Sequence, residues 1–197
     1  MENPFTESSN SGENNKQLFF HKGTPLSSIK LARELTALLE NNKKTLVLLC
    51  IGTDRATGDA LGPLVGSYLN KLNPKGIEIY GTLENPVHAL NLKSTLEQIN
   101  STHEKPFILA VDAALGNKEY IGYIKLSPGS IKPGESVSKV LPAVGDVHIT
   151  AIVNVKGFME PQVLQSTPLS LVMELSRIIS RGIFLTLMRS KAPNTHT

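Results

Sequence analysis

The 197-residue chain is 40% hydrophobic and 19% charged, with a net charge of +3 and a pI near 8.9, which describes one ordinary globular domain with a sizeable core. Lys and Arg are scattered, with no arginine-rich run and no interleaving of basic and aromatic residues, so composition argues against nucleic-acid binding. The single cysteine, Cys50, rules out an intrachain disulfide and a zinc ribbon and suits a reducing compartment.

Residues 1–17 are rich in Asn, Ser and Glu, lack an apolar run, and are expected to be a disordered tail rather than a secretory signal. A helix is predicted from Leu26 to about Asn42, where Leu31, Leu35, Leu38 and Leu39 recur at helical spacing. Thr45 to Ile51 is wholly apolar without alternation, the pattern of a strand buried on both faces. A polar, glycine-containing loop follows, then a helix from about Pro63 to Leu72, with Pro63 acceptable in the first turn. Ile77 to Tyr80 reads as a second strand and Pro86 to Asn100 as a helix. Pro106 to Val111 is a third buried strand, expected to end at Asp112, and Tyr120 to Leu126 a fourth. The stretch SPGSIKPGES predicts a long loop. His148 to Val153 is a last strand, and a helix closes the chain from about Pro168 to Met188.

Within that closing helix, Glu174, Arg177, Arg181 and Gly182 interrupt the apolar character, so it is not expected to span a membrane. The domain is placed at residues 18–190 and a frayed tail at 191–197. Helices alternating with short buried strands imply an α/β fold with a mostly parallel sheet covered on both faces. The expected location is the cytoplasm.

Ligands of open α/β sheets bind beyond the carboxyl ends of the strands. Two strands here lead into acidic residues: one into Gly52, Thr53, Asp54 and then Asp59, the other into Asp112. If these strands are near neighbours, Asp59 and Asp112 converge in one crevice. Two carboxylates in one site repel, so one keeps its proton as a general acid while the other takes a proton from water. The same oxygens could hold a divalent metal, with His148 as a third ligand. Each residue also has a plainer reading. Asp59 fits a helix cap, Asp112 a turn former, His148 a hydrogen-bonded histidine at a strand mouth, and Cys50 an inert buried thiol. His88, opening a helix, is a weaker candidate. The motifs GxSxG, HExxH, GxxxxGK[ST] and GxGxxG are absent, which disfavours serine hydrolases, zincins, P-loop enzymes and dinucleotide binders.

The segment LLCIGTDRATGDALGPLVG resembles the first active-site motif of the bacterial spore germination protease, with Asp59-Ala60-Leu61-Gly62-Pro63 as its most specific part. FILAVDAALG resembles the second motif, and SPGSIKPGESV and HITAIV resemble its later loop and strand. The resemblance covers roughly residues 45–155. With the segment YGTLENPVHALNL and the short length, the chain looks closest to the YyaC family of sporulation proteins, and more distantly similar to hydrogenase maturation proteases.

This resemblance implies a phosphorylase/hydrolase-like three-layer α/β/α sandwich. It carries a catalytic role onto Asp59 and Asp112 and implies a spore-associated peptidase acting on small acid-soluble spore proteins inside the sporulating cell or spore. Gly52, Thr53, Gly81 and Thr82 are the candidates for substrate or oxyanion contacts. Kinship with the maturation proteases implies, as the alternative, a metal at Asp59, Asp112 and His148. A homo-oligomer is expected by analogy. The chain is much shorter than the germination protease and has no recognisable propeptide, which keeps open a non-catalytic sporulation factor that binds a protein partner.

Overall fold

The computed structural model describes residues 17–40, 42–133 and 141–189. Residues 1–16 of the expected N-terminal tail (1–17), all of the expected C-terminal tail (191–197) and part of the Pro/Gly-rich loop lie outside the described residues. Six strands form one sheet: β1 (Leu18–His21), β2 (Leu46–Cys50), β3 (Glu78–Tyr80), β4 (Phe107–Gly116), β5 (Tyr123–Pro128) and β6 (Val147–Val155). Among the described residues five α-helices accompany them: α1 (Ser27–Leu39), α2 (Leu61–Leu72), α3 (Leu92–Thr102), α4 (Glu160–Gln165) and α5 (Leu169–Arg189). The strand order is β1-β5-β6-β4-β2-β3. The four strands β6, β4, β2 and β3 run parallel, and β5 runs antiparallel to both β6 and β1.

The apolar run of β2 is buried at every position. Leu46, Leu48 and Cys50 face one layer, and Val47, Leu49 and Ile51 face the other. The first layer is built by α1, α2 and α5 and holds the larger core, including Leu31, Leu35, Leu61, Val65 and Ile179. Gly182 lets α1 lie close to α5, because a Cβ there would press on Leu31. The second layer is α3, with Leu92 and Ile99 against Ala110 and β2, and the segment carrying Ile131 and Val144 beside it. This is the expected three-layer α/β/α sandwich.

Four departures matter for the site. Strand β4 does not end at Asp112; it runs on to Gly116 because β6 continues to pair with it as far as Val155. Helix α3 starts at Leu92 rather than Pro86. Val87 bridges Ile51 at the sheet edge, and the Asn91 side chain accepts from the His88 N–H and donates to the Pro86 carbonyl, which holds residues 86–91 as a loop. Two elements were not anticipated. The four-residue β1 is too short to show periodicity, and α4 is a six-residue helix with one buried side chain, Leu164.

Candidate functional site

Strand β2 stops where β4 does not. Cys50 pairs with Val111, and the Ile51 N–H donates to the Val111 carbonyl. From Asp112 onward the β2 flank of β4 has no neighbouring strand among the described residues. The chain leaving β2 fills that gap by turning back through a 3-10 turn, Gly58–Ala60, at whose centre sits Asp59. Asp59 and Asp112 thereby line one cavity of about 260 Å³.

The turn is fixed from both sides. Gly52, at φ 143°, brings the chain against the Asp59 carbonyl, which accepts from the Thr53 N–H at 3.1 Å. A Cβ on Gly58 would run into the Leu164 side chain, so α4 packs directly on the turn. Asn154, near the end of β6, anchors α4 by donating to the Val163 carbonyl (2.9 Å) and to Thr167 Oγ1 (3.2 Å).

The rest of the cavity comes from alternation along β4, β5 and β6. Val111, Ile149, Ile124 and Leu126 point into the larger core. Their alternates Asp112, His148, Thr150 and Lys125 line the cavity on the opposite face. In register, Asp112 pairs with Thr150 and Thr150 with Lys125, so the three form one rung across the sheet. His148 lies on the rung below, opposite Ala110 and Ser127.

The electrostatics follow from burial. Desolvation pushes the Asp59 carboxyl up to about 6, because the charged form loses water without a compensating partner. The Asp112 carboxylate accepts from the Ala113 N–H at 2.9 Å. Burial lowers the His148 pKa, and the nearby Lys125 charge lowers it further, against the opposing effect of its bond to Gly129. His148 is therefore neutral at pH 7. A carbonyl can only accept, so the 2.9 Å contact from Nδ1 to the Gly129 oxygen puts the proton on Nδ1 and leaves Nε2 as an acceptor.

The other candidate residues are placed as follows. The backbone N–H groups of Gly52, Thr53 and Thr82 are bound to the carbonyls of Val87 (2.8 Å), Asp59 (3.1 Å) and Asn85 (3.1 Å). Gly81 and Thr82 line a separate cavity with Tyr80 and His88, and Gly81 serves packing, since a Cβ there would overlap the Cys50 carbonyl. The metal triad does not form. Asp59, Asp112 and His148 share the cavity, but among the described residues no group of three or more His, Cys, Asp or Glu side chains is placed to hold an ion. His148 sits two residues down β6 from the partner of Asp112, about 6–7 Å along the strand. Asp54 is exposed in its loop, and Cys50 is fully buried.

Sequence reasoning missed Lys125, Thr150 and Glu160, which also line the cavity. The alternation of Ile124 and Leu126 with Lys125 and Ser127, and of Ile149 and Ala151 with His148 and Thr150, was the available signal. A strand with one apolar and one polar face marks the part of the sheet that no helix covers.

Fold and site together define a three-layer α/β protein with a carboxylate-bearing cavity at the carboxyl edge of its parallel strands. The fold is that of a [NiFe] hydrogenase maturation protease, HycI from Thermococcus kodakarensis KOD1. That structure matches with a TM-score of 0.55 at 22% identity, covering 79% of this chain and 99% of that one. The chain belongs to the family described as protein of unknown function (DUF1256), whose model matches residues 19–182. It is 50% identical over 143 residues to the uncharacterized protein YyaC of Bacillus subtilis (strain 168), covering 73% of this chain and 70% of that protein. Among the described residues no helix is long and apolar enough to cross a membrane.

Proposed function

We propose that this chain is a peptidase of sporulation or germination in which Asp59 and Asp112 activate water against a peptide carbonyl. The observation that carries the reading is that both carboxyls line one cavity and burial holds Asp59 protonated up to about pH 6. The resemblance of both aspartate motifs to the germination protease supports the reaction class and names the substrates, small acid-soluble spore proteins. The setting is the cytoplasm of the sporulating cell or the spore interior.

The chemistry divides between the two acids. Asp112, as carboxylate, takes a proton from water while the water oxygen bonds to the carbonyl carbon and the C=O π pair moves onto oxygen. Asp59 gives its proton to the leaving nitrogen as the C–N bond breaks and the C=O bond re-forms. The new carboxyl returns a proton to Asp59, and Asp112 passes its own to the released amine.

Among the described residues Asp59, Asp112 and His148 are not placed as a three-ligand metal site. The test is incubation of wild type and Asp59→Asn with small acid-soluble spore proteins, with and without chelator, read by mass spectrometry. Defined fragments from wild type alone, in both conditions, are expected. Intact protein in every tube would overturn the reading in favour of a partner-binding sporulation factor.

A further inference from the structure

The two-aspartate reaction generates a negatively charged oxygen on the substrate, and an effective site holds donors where that charge develops. Three backbone donors of the loops are already used. The N–H groups of Gly52, Thr53 and Thr82 are bound to backbone carbonyls. His148 does not substitute for them, because its neutral ring spends its one N–H on Gly129. A side-chain cation on the cavity wall can supply the donor.

Three lysines line the cavity: Lys125, Lys132 and Lys156. They are not equivalent. Lys132 and Lys156 are exposed and lie outside the strands, whereas Lys125 is half-buried within β5. The ladder fixes its position. Lys125 pairs with Thr150, and Thr150 pairs with Asp112, so one strand separates the lysine from the aspartate. At a strand spacing of about 4.8 Å, their Cα atoms are roughly 10 Å apart. The lysine stem lies on the cavity face and is long enough to bring its ammonium group across Thr150 toward a substrate oxygen held beside Asp112.

We propose that Lys125 is a further catalytic residue, whose ammonium group donates to the oxyanion formed when water adds to the peptide carbonyl. The assignment rests on the peptidase reading. Lys125 transfers no proton: it holds the charge while the C–O bond forms, and releases it when the C=O bond re-forms and the C–N bond breaks. Burial lowers the Lys125 pKa, as expected of an ammonium taken from water to face a charge that exists only during the reaction.

The test is steady-state cleavage of a small acid-soluble spore protein by wild type, Lys125→Met, Lys125→Ala, Lys132→Met and Lys156→Met, with folding checked by circular dichroism. Lys125→Met is expected to lower kcat by about 100-fold or more with KM within about threefold, and added ethylammonium is expected to restore part of the activity of Lys125→Ala. The two exposed lysines are expected to matter less than about fivefold. A Lys125→Met enzyme as fast as wild type overturns this assignment alone. So does a loss confined to KM, or an equal kcat loss in Lys132→Met or Lys156→Met. A wild type that cleaves none of these proteins overturns the peptidase reading and this assignment with it.

Discussion

Gly52 and Asp59 are in direct backbone contact: the space where a Gly52 Cβ would stand is filled by the Asp59 carbonyl oxygen. At φ 143°, Gly52 also holds a conformation that side chains with a Cβ rarely adopt. This contact sets how far the chain turns back after β2, and so where the Asp59 carboxyl lies. Gly52→Ala must therefore either distort the turn or push Asp59 away from β4. We expect a loss of about 2 kcal/mol or more in urea unfolding, and greatly reduced cleavage in whatever fraction folds.

Asp59 gives the protein a pH signature with a definite sign. Burial pushes its pKa up from the ordinary 3.8 to about 6, so the native state binds the proton more tightly than the unfolded chain. The associated stability is fully present below about pH 3.8 and is lost as pH rises through about 6. Asp59→Asn removes the ionisation. Urea midpoints should show the variant more stable than wild type at pH 7–8, by about 1–3 kcal/mol, with the difference shrinking toward pH 4. Cleavage that uses Asp59 as acid should decline as pH rises past about 6, when followed in a pH–rate profile.

Helix α4 should matter to the site more than to the fold. Leu164 is its buried side chain and packs where a Gly58 Cβ would be. Leu35 is a leucine of the same apolar core but belongs to α1 and does not line the cavity. Leu164→Ala and Leu35→Ala should each cost about 2–4 kcal/mol. Only Leu164→Ala should lower kcat beyond what its folded fraction explains, as measured by activity corrected for circular dichroism.

Cys50 should be chemically silent. It is fully buried in β2, and burial raises its thiol pKa strongly against a smaller opposing hydrogen bond from the Gly66 backbone. A chromogenic disulfide reagent should modify it only at the rate of unfolding, and at once in denaturant. Rapid modification of the native protein would place it outside the core.

Much of this was legible in the sequence because the β2 and β4 runs and the leucine spacing of α1 are long, uniform signals. The two aspartates were legible because each follows such a run. What was hidden depended on pairing. Nothing in FILAVDAALG says that β6 accompanies β4 to Gly116, so Asp112 read as a strand end. Nothing in the loops showed that the Gly52, Thr53 and Thr82 N–H groups were already bound, since their acceptors lie elsewhere in the chain or across a turn. Lys125 was hidden because one lysine in a short strand reads as surface until the uncovered face of the sheet is known.

The coupling of Asp59 and Asp112 is tested most directly by a double-mutant cycle on cleavage of small acid-soluble spore proteins. Wild type, Asp59→Asn, Asp112→Asn and the double variant would be compared under identical conditions. If the two act as one unit, each single variant loses most of the activity and the double variant is little worse than either. Independent, multiplying losses, or a single variant that cleaves as fast as wild type, would contradict a shared two-aspartate site.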